Sequence, residues 1–370
     1  MKAPFPWFGG KRRVADVVWA AFGDVHNYVE PFAGSLAVLL ERPDKHQGIT
    51  TGAETVNDAD AYLANFWRAV TAAPDEVAKW ADWPVNETDL FARHMWLVRE
   101  GSKRIASMDA DPDFYDAKVA GWWVWGQCAW IGSGWCAGTG PWVVGEDGRP
   151  HLVAGRGVNR KLPHLGDAGR GVNRQRPHLG TVGQGAVHSA GDMTAGGSGA
   201  PSAEWDRSHW REGEEPLVYG YMRALQARLR RVRVCCGDWS RVVTEGALCY
   251  GATVGVFLDP PYDEECRTRG LYSTEGGSLS VDVREWAVDA AARDPRLRIA
   301  LCGYEGEHTM PGDWREHAWK SSGAYLGGGG GGVNRANRHR ERIWFSPSCV
   351  LPDSEHQVGL FAEDGLEVKE

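Results

Sequence analysis

The sequence lacks the features that mark several common classes of protein. Its eight cysteines include no CxxC pair and no ladder of spaced His and Cys residues, which argues against a zinc site and against a disulfide framework. No window approaches the roughly 18 apolar residues that a membrane-spanning helix needs. The first residues contain no apolar signal-peptide segment, so we expect a cytoplasmic protein without a membrane partner.

Charge is unevenly distributed along the chain. The formal net charge of the 370 residues is -8 at pH 7, which by itself discourages binding to nucleic acid. Three segments are nevertheless basic: 148–178, 228–234 and 334–342. A solvated surface explains any one of them, whereas together they favour a local face for a polyanion, because phosphate neutralisation depends on local charge. Both interpretations stay open.

The apolar pattern predicts alternating strands and helices. Segments 25–43 and 48–70 each indicate a strand, a turn and a helix, the first helix beginning at Leu36. The continuous apolar run at 252–258 is typical of a buried strand inside a parallel sheet. Further elements are predicted at 217–234 (helix, then strand), 283–294 (helix), 297–304 (strand) and 340–347 (strand). The pattern predicts an α/β, doubly wound sheet that binds ligands at its carboxyl edge.

The alternation of predicted strands and helices is interrupted in the middle of the chain. Helical patterning continues to about residue 127 and carries many of the nineteen tryptophans. For Trp130 and Trp135, core packing and stacking against nucleic-acid bases are both open. Segment 138–204 is rich in Gly, Arg and His with few apolar residues, so we expect a flexible insertion there.

Three predicted turns at the carboxyl edge carry candidate binding residues. In "EPFAGS" (30–35), Gly34 permits close approach of a ligand. Asp58 follows a strand, where a carboxylate accepts ribose hydroxyls, and Asp238 in "GDW" could accept an amino proton from adenine. Each acid alone is more often a helix N-cap. Together they outline an adenosine pocket without a pyrophosphate site, since no GxGxxG fingerprint joins a predicted strand to a helix.

The stretch "DPPY" (259–262) ends the buried strand at 252–258. The two prolines stiffen the turn and lack N–H groups, so the turn presents acceptors, namely the Asp259 carboxylate and the Pro260 carbonyl. Tyr262 adds a flat face. Two acceptors beside a ring suit the exocyclic amino group of a base, whose lone pair they localise. The alternative is a strand-ending turn with an incidental Asp cap.

The ordered set of segments resembles a known family, the Dam-like DNA adenine-N6 methyltransferases. The matching segments are "PWFGGK" (6–11), "VEPFAGSLAVLL" (29–40), "NDADAYLANFWRAV" (57–70), "GDW" (237–239) and "DPPY" (259–262). The resemblance implies the Rossmann-like fold of class I methyltransferases with an inserted, mainly helical target-recognition subdomain. It implies a discontinuous catalytic domain (1–75 and 230–350), an insertion (76–229) and a tail (351–370).

The resemblance also implies ligands and roles. The methyl donor is S-adenosylmethionine and the substrate is double-stranded DNA, with no metal required. The protein would be a monomer, with a cognate restriction endonuclease as one conceivable partner. The target base must be flipped out of the duplex. The implied cofactor residues are Trp7, Gly9, Gly10 and Lys11 at the methionine end, Glu30, Phe32 and Gly34 in the loop beneath, Asp58 at the ribose and Asp238 near the adenine. The implied catalytic residues are Asp259 and Pro260, which bind the amino group, and Tyr262, which stacks.

One departure keeps alternatives open. Relatives often have a second glycine in the first loop, where this chain has Leu36. Asp rather than Ser at position 259 favours adenine, but cytosine N4 in DNA and adenine in RNA carry similar amino groups. A non-catalytic DNA-binding protein on a degenerate methyltransferase fold is the third hypothesis, which the intact DPPY stretch and Asp58 oppose.

Overall fold

A mixed sheet of seven strands forms the centre of the protein in the computed structural model. The structure describes residues 1–7, 11–43, 52–111, 113–130, 135–136, 142–144, 150–152, 216–262, 279–319 and 340–350. The strands are β1 (Asn27–Glu30), β2 (Ala53–Asp58), β3 (Trp142–Val144), β4 (Pro150–Leu152), β5 (Val232–Cys236), β6 (Val254–Leu258), β7 (Leu297–Tyr304), β8 (Arg315–Ala318) and β9 (Glu341–Phe345). The mixed α/β class predicted from the apolar pattern is confirmed.

The order of the main sheet is β5-β2-β1-β6-β7-β9-β8. Strands β5, β2, β1, β6 and β7 are mutually parallel, whereas β9 runs antiparallel to both β7 and β8. The chain leaves β1 towards one edge of the sheet and β6 towards the other. The strand order therefore reverses between β1 and β6, the position where open α/β sheets bind ligands at the carboxyl ends of their strands.

Alternation along the central strands divides the apolar core between the two faces of the sheet. Tyr28, Phe257, Ala300 and Cys302 belong to one cluster of buried residues, and their neighbours Val29, Val256, Ile299 and Leu301 belong to another. Since successive strand residues point to opposite faces, the two clusters lie on opposite sides of the sheet. The helices α1 (Ala15–Phe22) and α2 (Ala61–Ala72) contribute to the first cluster, and α9 (Leu279–Arg293) contributes to the second.

The remaining helices are α3 (Pro74–Ala81), α4 (Glu87–Trp96), α5 (Ser102–Ile105), α6 (Ala117–Ala129), α7 (Leu217–Leu229) and α8 (Glu245–Leu248). Asp60, Asn86 and Asp116 cap α2, α4 and α6 with side-chain oxygens that accept backbone N–H groups. A π-helical stretch, Leu97–Gly101, continues α4. The helices predicted around residues 61–70, 217–229 and 283–294 are confirmed with small shifts of their ends. Strand β8, "REHA", has no apolar period and was not predicted.

The helix predicted from Leu36 is wrong. The segment after β1 instead forms turns and a short 3-10 helix, Leu39–Glu41. Leu36 itself has φ +58°, in the left-handed region that favours glycine, and its side chain is completely buried. A residue in this conformation cannot continue a right-handed helix. The run "LAVLL" is apolar because it lies in the core, not because it is helical.

At position 36 a glycine variant should be more stable than an alanine variant, which reverses the usual order of stability. We expect Leu36→Gly to lower the free energy of unfolding by about 2 to 4 kcal/mol, because a buried side chain is lost while strain is relieved. Leu36→Ala should be about 1 kcal/mol less stable still, because alanine keeps the strained φ. Urea denaturation of both variants measures this. Equal or greater stability of the alanine variant would show that the backbone at residue 36 carries no such strain.

Tryptophans of the helical segment pack in the interior. Trp123 and Trp125 are buried, and Trp130 is only 7% exposed, stacked on the His94 ring with centroids 4.8 Å apart. The Trp135 ring is partly buried, and its Nε1 donates to the Trp123 carbonyl at 3.0 Å. Core packing is therefore favoured over base stacking for Trp130. Most of the predicted insertion 138–204 lies outside the described residues; within it the structure describes the antiparallel pair β3 and β4.

Two arginines of the predicted basic segments form ion pairs within the folded protein. Arg228 donates to both carboxylate oxygens of Glu54, at 2.7 and 3.0 Å. Arg342 pairs with Glu305 and Glu316, each at 2.8 Å. Both guanidinium groups are largely buried, so they serve ion pairs within the protein. Segments 148–149, 153–178 and 334–339 lie outside the described residues. None of the described helices is both long enough and apolar enough to span a membrane.

Candidate active site

The carboxyl ends of the parallel strands bring four predicted acids to one edge of the sheet. Glu30 is the last residue of β1 and Asp58 the last of β2; Asp238 follows β5, and Asp259 follows β6. Strand β9 runs in the opposite direction, and its first residue, Glu341, pairs with Tyr304 at the end of β7. An antiparallel strand begins where its parallel neighbours end. Glu341 therefore joins the edge through strand direction.

A buried lysine connects the amino terminus of the protein to the DPPY turn. The Lys11 ammonium lies 2.9 Å from Asp259 Oδ1 and donates to Tyr262 Oη at 2.8 Å. Glu341 Oε2 lies 3.8 Å from the same nitrogen and accepts from Tyr262 Oη at 2.9 Å. Lys11 and Glu341 are almost fully buried, whereas the Asp259 side chain keeps 19% of its surface exposed. Asp259 is thus the carboxylate of this cluster that a ligand can reach.

The charges in this cluster fix the protonation of its members. Burial alone would lower the pKa of Lys11, but the carboxylates of Asp259 and Glu341 outweigh burial and hold that pKa above its usual value. Burial and the same two carboxylates raise the pKa of Tyr262 well above its usual value. At neutral pH the lysine is therefore charged and the tyrosine keeps its hydroxyl proton.

The loop after β1 is held against the end of β2. The Gly34 N–H donates to Asp58 Oδ2, and the Asp60 N–H donates to Asp58 Oδ1, both at 3.0 Å. Gly34 has φ +47°, and a Cβ at this position would collide with the Trp7 indole. Glycine is thus required both by the backbone conformation and by the close approach of Trp7.

Asn57, the second-last residue of β2, connects this strand to the loops that follow β1 and β5. Its side-chain amide donates to the carbonyls of Pro31 and Gly237, both at 3.0 Å. Beside it, Phe32 stacks on Trp239 with ring centroids 6.1 Å apart. Asp238 is exposed and caps the short 3-10 helix Trp239–Val242, accepting from the Ser240 N–H at 2.9 Å. The commoner N-cap role therefore applies to Asp238, whereas Asp58 caps no helix.

Glu30 is a buried carboxyl group between the two halves of the site. The Tyr28 hydroxyl donates to Glu30 Oε2 at 3.0 Å. Burial raises the pKa of Glu30 to about 8, and the charges of Asp259 and Asp58 add to this effect. Burial also raises the pKa of Asp58 to about 6, with the charge of Asp60 adding to it and the backbone N–H donors opposing it. A cation bound at this edge would favour the ionised forms.

The raised pKa of Glu30 makes stability depend on pH. Glutamate in an unfolded chain has a pKa of about 4.3, so between that value and about 8 the folded protein binds more protons than the unfolded chain. Stability therefore falls as the pH rises through this range. We expect Glu30→Gln, which keeps an acceptor for Tyr28, to weaken this fall between about pH 5 and about pH 8.

Urea denaturation of the ligand-free protein at both pH values measures the change. The matched control is Glu285→Gln, whose side chain is 65% exposed and should leave the wild-type pH dependence unaltered. Identical pH dependence in wild type and Glu30→Gln would contradict the assignment of a proton to Glu30.

The structure thus brings most of the predicted site residues to one edge of the sheet. Gly9 and Gly10 lie outside the described residues, and Pro260 is buried. Sequence reasoning missed Glu341 and Asn57. For Asn57 a signal existed, because it directly precedes Asp58 at the end of a predicted strand. No group of three His, Cys, Asp or Glu residues within the described ranges is arranged to hold a metal ion.

The edge offers groups that fit a nucleoside donor with a cationic amino acid end. Asp58 is half-buried, and each of its oxygens accepts one backbone N–H, which leaves a lone pair on each for a hydroxyl group. A positively charged ligand would favour the ionised form of the Glu30 carboxyl group, and this carboxylate would compensate the ligand's charge.

Residues 7–107 match the family model of D12 class N6 adenine-specific DNA methyltransferases. This match confirms the predicted resemblance and the predicted enzyme class, an adenine-specific DNA methyltransferase. It supports methylation of adenine N6, with DNA as the substrate and a methyl donor as co-substrate. The matched segment contains Trp7, Lys11, Glu30, Gly34 and Asp58, whereas the DPPY turn lies outside it. No curated protein matches the chain.

Proposed function

We propose that the protein transfers a methyl group from S-adenosylmethionine to the N6 amino group of an adenine flipped out of double-stranded DNA, at specific sites. The observation that carries this proposal is the position of Asp259. Its carboxylate is partly exposed at the point where the strand order reverses, and Lys11 compensates its charge at 2.9 Å. The seven-stranded sheet, in which β9 is antiparallel to β7, supports the Rossmann-like fold of class I methyltransferases as the fold that accompanies this function.

The base side of the site consists of Asp259, Pro260 and Tyr262. The contacts of Asp259 with Lys11 and Tyr262 go to Oδ1, and Oδ2 makes no hydrogen bond within the described part of the chain. One amino proton of adenine would be accepted by Oδ2 and the other by the Pro260 carbonyl. These two bonds localise the lone pair on N6. That lone pair would form the new bond to the methyl carbon as the bond from this carbon to the sulfonium sulfur breaks, which leaves S-adenosylhomocysteine. The methylated nitrogen would then release one proton, with Asp259 Oδ2 as its first acceptor.

The donor side is formed by the loops after β1, β2 and β5. Asp58 would accept the ribose hydroxyls, and Asp238 would lie near the adenine ring of the donor. Trp7, Gly9, Gly10, Lys11, Glu30, Phe32 and Gly34 would enclose the methionine end. S-adenosylmethionine, when bound, supplies an electrophilic methyl group on a sulfonium sulfur. Transfer requires that the methyl carbon lie about 3 to 3.5 Å from N6.

Domain division and partners follow from the same proposal. The catalytic domain would comprise residues 1–75 and 230–350, and residues 76–229 would recognise the target sequence. A monomeric enzyme, with a cognate restriction endonuclease as a partner, fits this organisation. Cytosine N4 in DNA and adenine in RNA are the competing acceptors, because both present an amino group beside a ring.

Transfer of isotopically labelled methyl to unmethylated duplex DNA, followed by nucleoside digestion and mass analysis, tests the proposed function. We expect label in N6-methyladenine. Label in N4-methylcytosine would keep the chemistry and change the base, and label only with RNA would change the substrate. Binding of S-adenosylmethionine without label in any nucleic acid would support a non-catalytic DNA-binding protein instead.

A further inference from the structure

The hydroxyl proton of Tyr262 has two competing acceptors. Tyr262 Oη lies 2.9 Å from Glu341 Oε2 and 3.2 Å from Asp259 Oδ1, and it accepts from the Lys11 ammonium at 2.8 Å. A phenol has one proton and can donate only one strong hydrogen bond. The shorter distance assigns that bond to Glu341. Asp259 Oδ1 instead accepts a hydrogen bond from the Lys11 ammonium, which lies 2.9 Å away.

Which carboxylate accepts the Tyr262 hydroxyl proton determines how well Asp259 can accept a proton from the target base. A carboxylate that accepts from both a lysine and a phenol is a weaker acceptor for a third donor, because each bond withdraws charge from it. Asp259 must accept an amino proton from adenine in the proposed reaction. A tyrosine hydroxyl bonded to Asp259 would therefore compete with the substrate. Glu341 removes that competitor.

The position of Glu341 is fixed independently of the DPPY turn. It is the first residue of β9, and its backbone pairs with Tyr304 of β7. Its carbonyl accepts from the Trp319 N–H at 3.2 Å. The Tyr262 ring packs edge-on against Tyr304, with centroids 4.6 Å apart. The strand pair thus holds both the acceptor and one side of the tyrosine ring in place.

We propose that Glu341 is a positioning residue that holds the Tyr262 hydroxyl proton away from Asp259, so that Asp259 stays available to the amino group of the target adenine. This inference rests on the proposed function for its consequence in methyl transfer. Its structural part, the choice of acceptor by Tyr262, stands without it. Glu341 acts through Tyr262 and Lys11 and does not itself contact the base.

Two substitutions at residue 341 and one at residue 262 test the inference. Glu341→Leu removes the acceptor and should lower the single-turnover rate of methyl transfer about 10- to 100-fold, with donor affinity within about threefold of wild type. Glu341→Gln retains an acceptor oxygen and should stay within about fivefold of wild type. Adding Tyr262→Phe to Glu341→Leu removes the competing hydroxyl proton. The double variant should therefore transfer the methyl group about tenfold faster than Glu341→Leu alone.

This rescue separates positioning from a general structural role, because damage to packing is not repaired by deleting a second polar group. A double variant no faster than Glu341→Leu would overturn the inference, as would a Glu341→Leu protein as fast as wild type. Should Glu341→Leu fail to fold, a Glu341→Gln protein slowed as much as Asp259→Ala would overturn it too.

A crystal structure of Glu341→Leu supplies a readout that does not need methyl transfer. We expect Tyr262 Oη to approach Asp259 Oδ1, from 3.2 Å to about 2.7 Å. An unchanged or longer distance would overturn the inference even if the wild-type protein methylates DNA. Wild-type protein that transfers no methyl group while the variant shows the shorter distance would instead refute the proposed function alone.

Discussion

Replacing Asp259 by alanine is expected to abolish methyl transfer, with a loss of more than about 10³-fold, while the affinity for S-adenosylmethionine stays within about tenfold. The reason is that different residues at the edge of the sheet are proposed to bind the base and the donor. In the proposed site, Asp259 Oδ2 accepts from the base, whereas the ribose and the amino acid end of the donor are assigned to Asp58 and Glu30. Single-turnover transfer and calorimetric donor binding, measured on the same preparation, give both quantities.

We expect Asp259→Ala to fold, so its loss of methyl transfer would not be caused by unfolding. Lys11 keeps Glu341 at 3.8 Å when Asp259 is gone, so the buried cation retains a partner. Asp289→Ala is the matched control, since the Asp289 side chain is 71% exposed and distant in sequence from the DPPY turn. Loss of donor binding in Asp259→Ala would contradict the assignment of this residue to the base.

Replacing Lys11 by methionine should produce a large loss of stability. Methionine has a similar length but leaves the buried Glu341 carboxylate and the partly buried Asp259 carboxylate without their cation. Removal of one partner from a buried ion pair costs about 3 to 5 kcal/mol, so we expect the free energy of unfolding to fall by this amount near neutral pH. The deficit should shrink towards acidic pH, where the unpaired carboxylates take up protons.

Arg12→Met is the matched control for Lys11→Met. Arg12 is the next residue, it pairs with Glu41 at 2.9 Å, and its side chain is 50% exposed. An exposed pair of this kind contributes about 0 to 1 kcal/mol. Urea denaturation of both variants compares them directly. A loss in Lys11→Met no greater than in Arg12→Met would show that the buried cluster does not depend on the lysine.

The residues that sequence reasoning could place are those fixed by local chemistry. Asp58 ends β2 and Asp259 follows β6; both strands can be predicted from the sequence, and turn residues mark where they end. Gly34 was predicted as a position where a ligand approaches closely, and in the structure the group that approaches it is the Trp7 indole of the protein itself. In each case, the strand and its turn lie within a few residues of each other.

Other features depend on contacts between distant parts of the chain. Glu341 lies 79 residues from Tyr262, and it reaches the site only because β9 runs antiparallel to β7. The direction of a strand at the edge of a sheet produces no pattern in the sequence of that strand. The positive φ of Leu36 is equally hidden, since an apolar run of five residues is compatible with a helix and with a buried turn. Lys11 was predicted beside the donor, and in the structure its ammonium contacts Asp259 and Tyr262.

A crystal structure with bound S-adenosylhomocysteine tests the central claim most directly, namely that donor and base meet where the strand order reverses between β1 and β6. The account predicts ribose hydroxyls about 2.7 to 3.0 Å from Asp58 and a sulfur atom that faces the Asp259 carboxylate. A ligand bound elsewhere on the protein, or an adenosine lying against Asp259 with its amino acid end at Asp58, would contradict it.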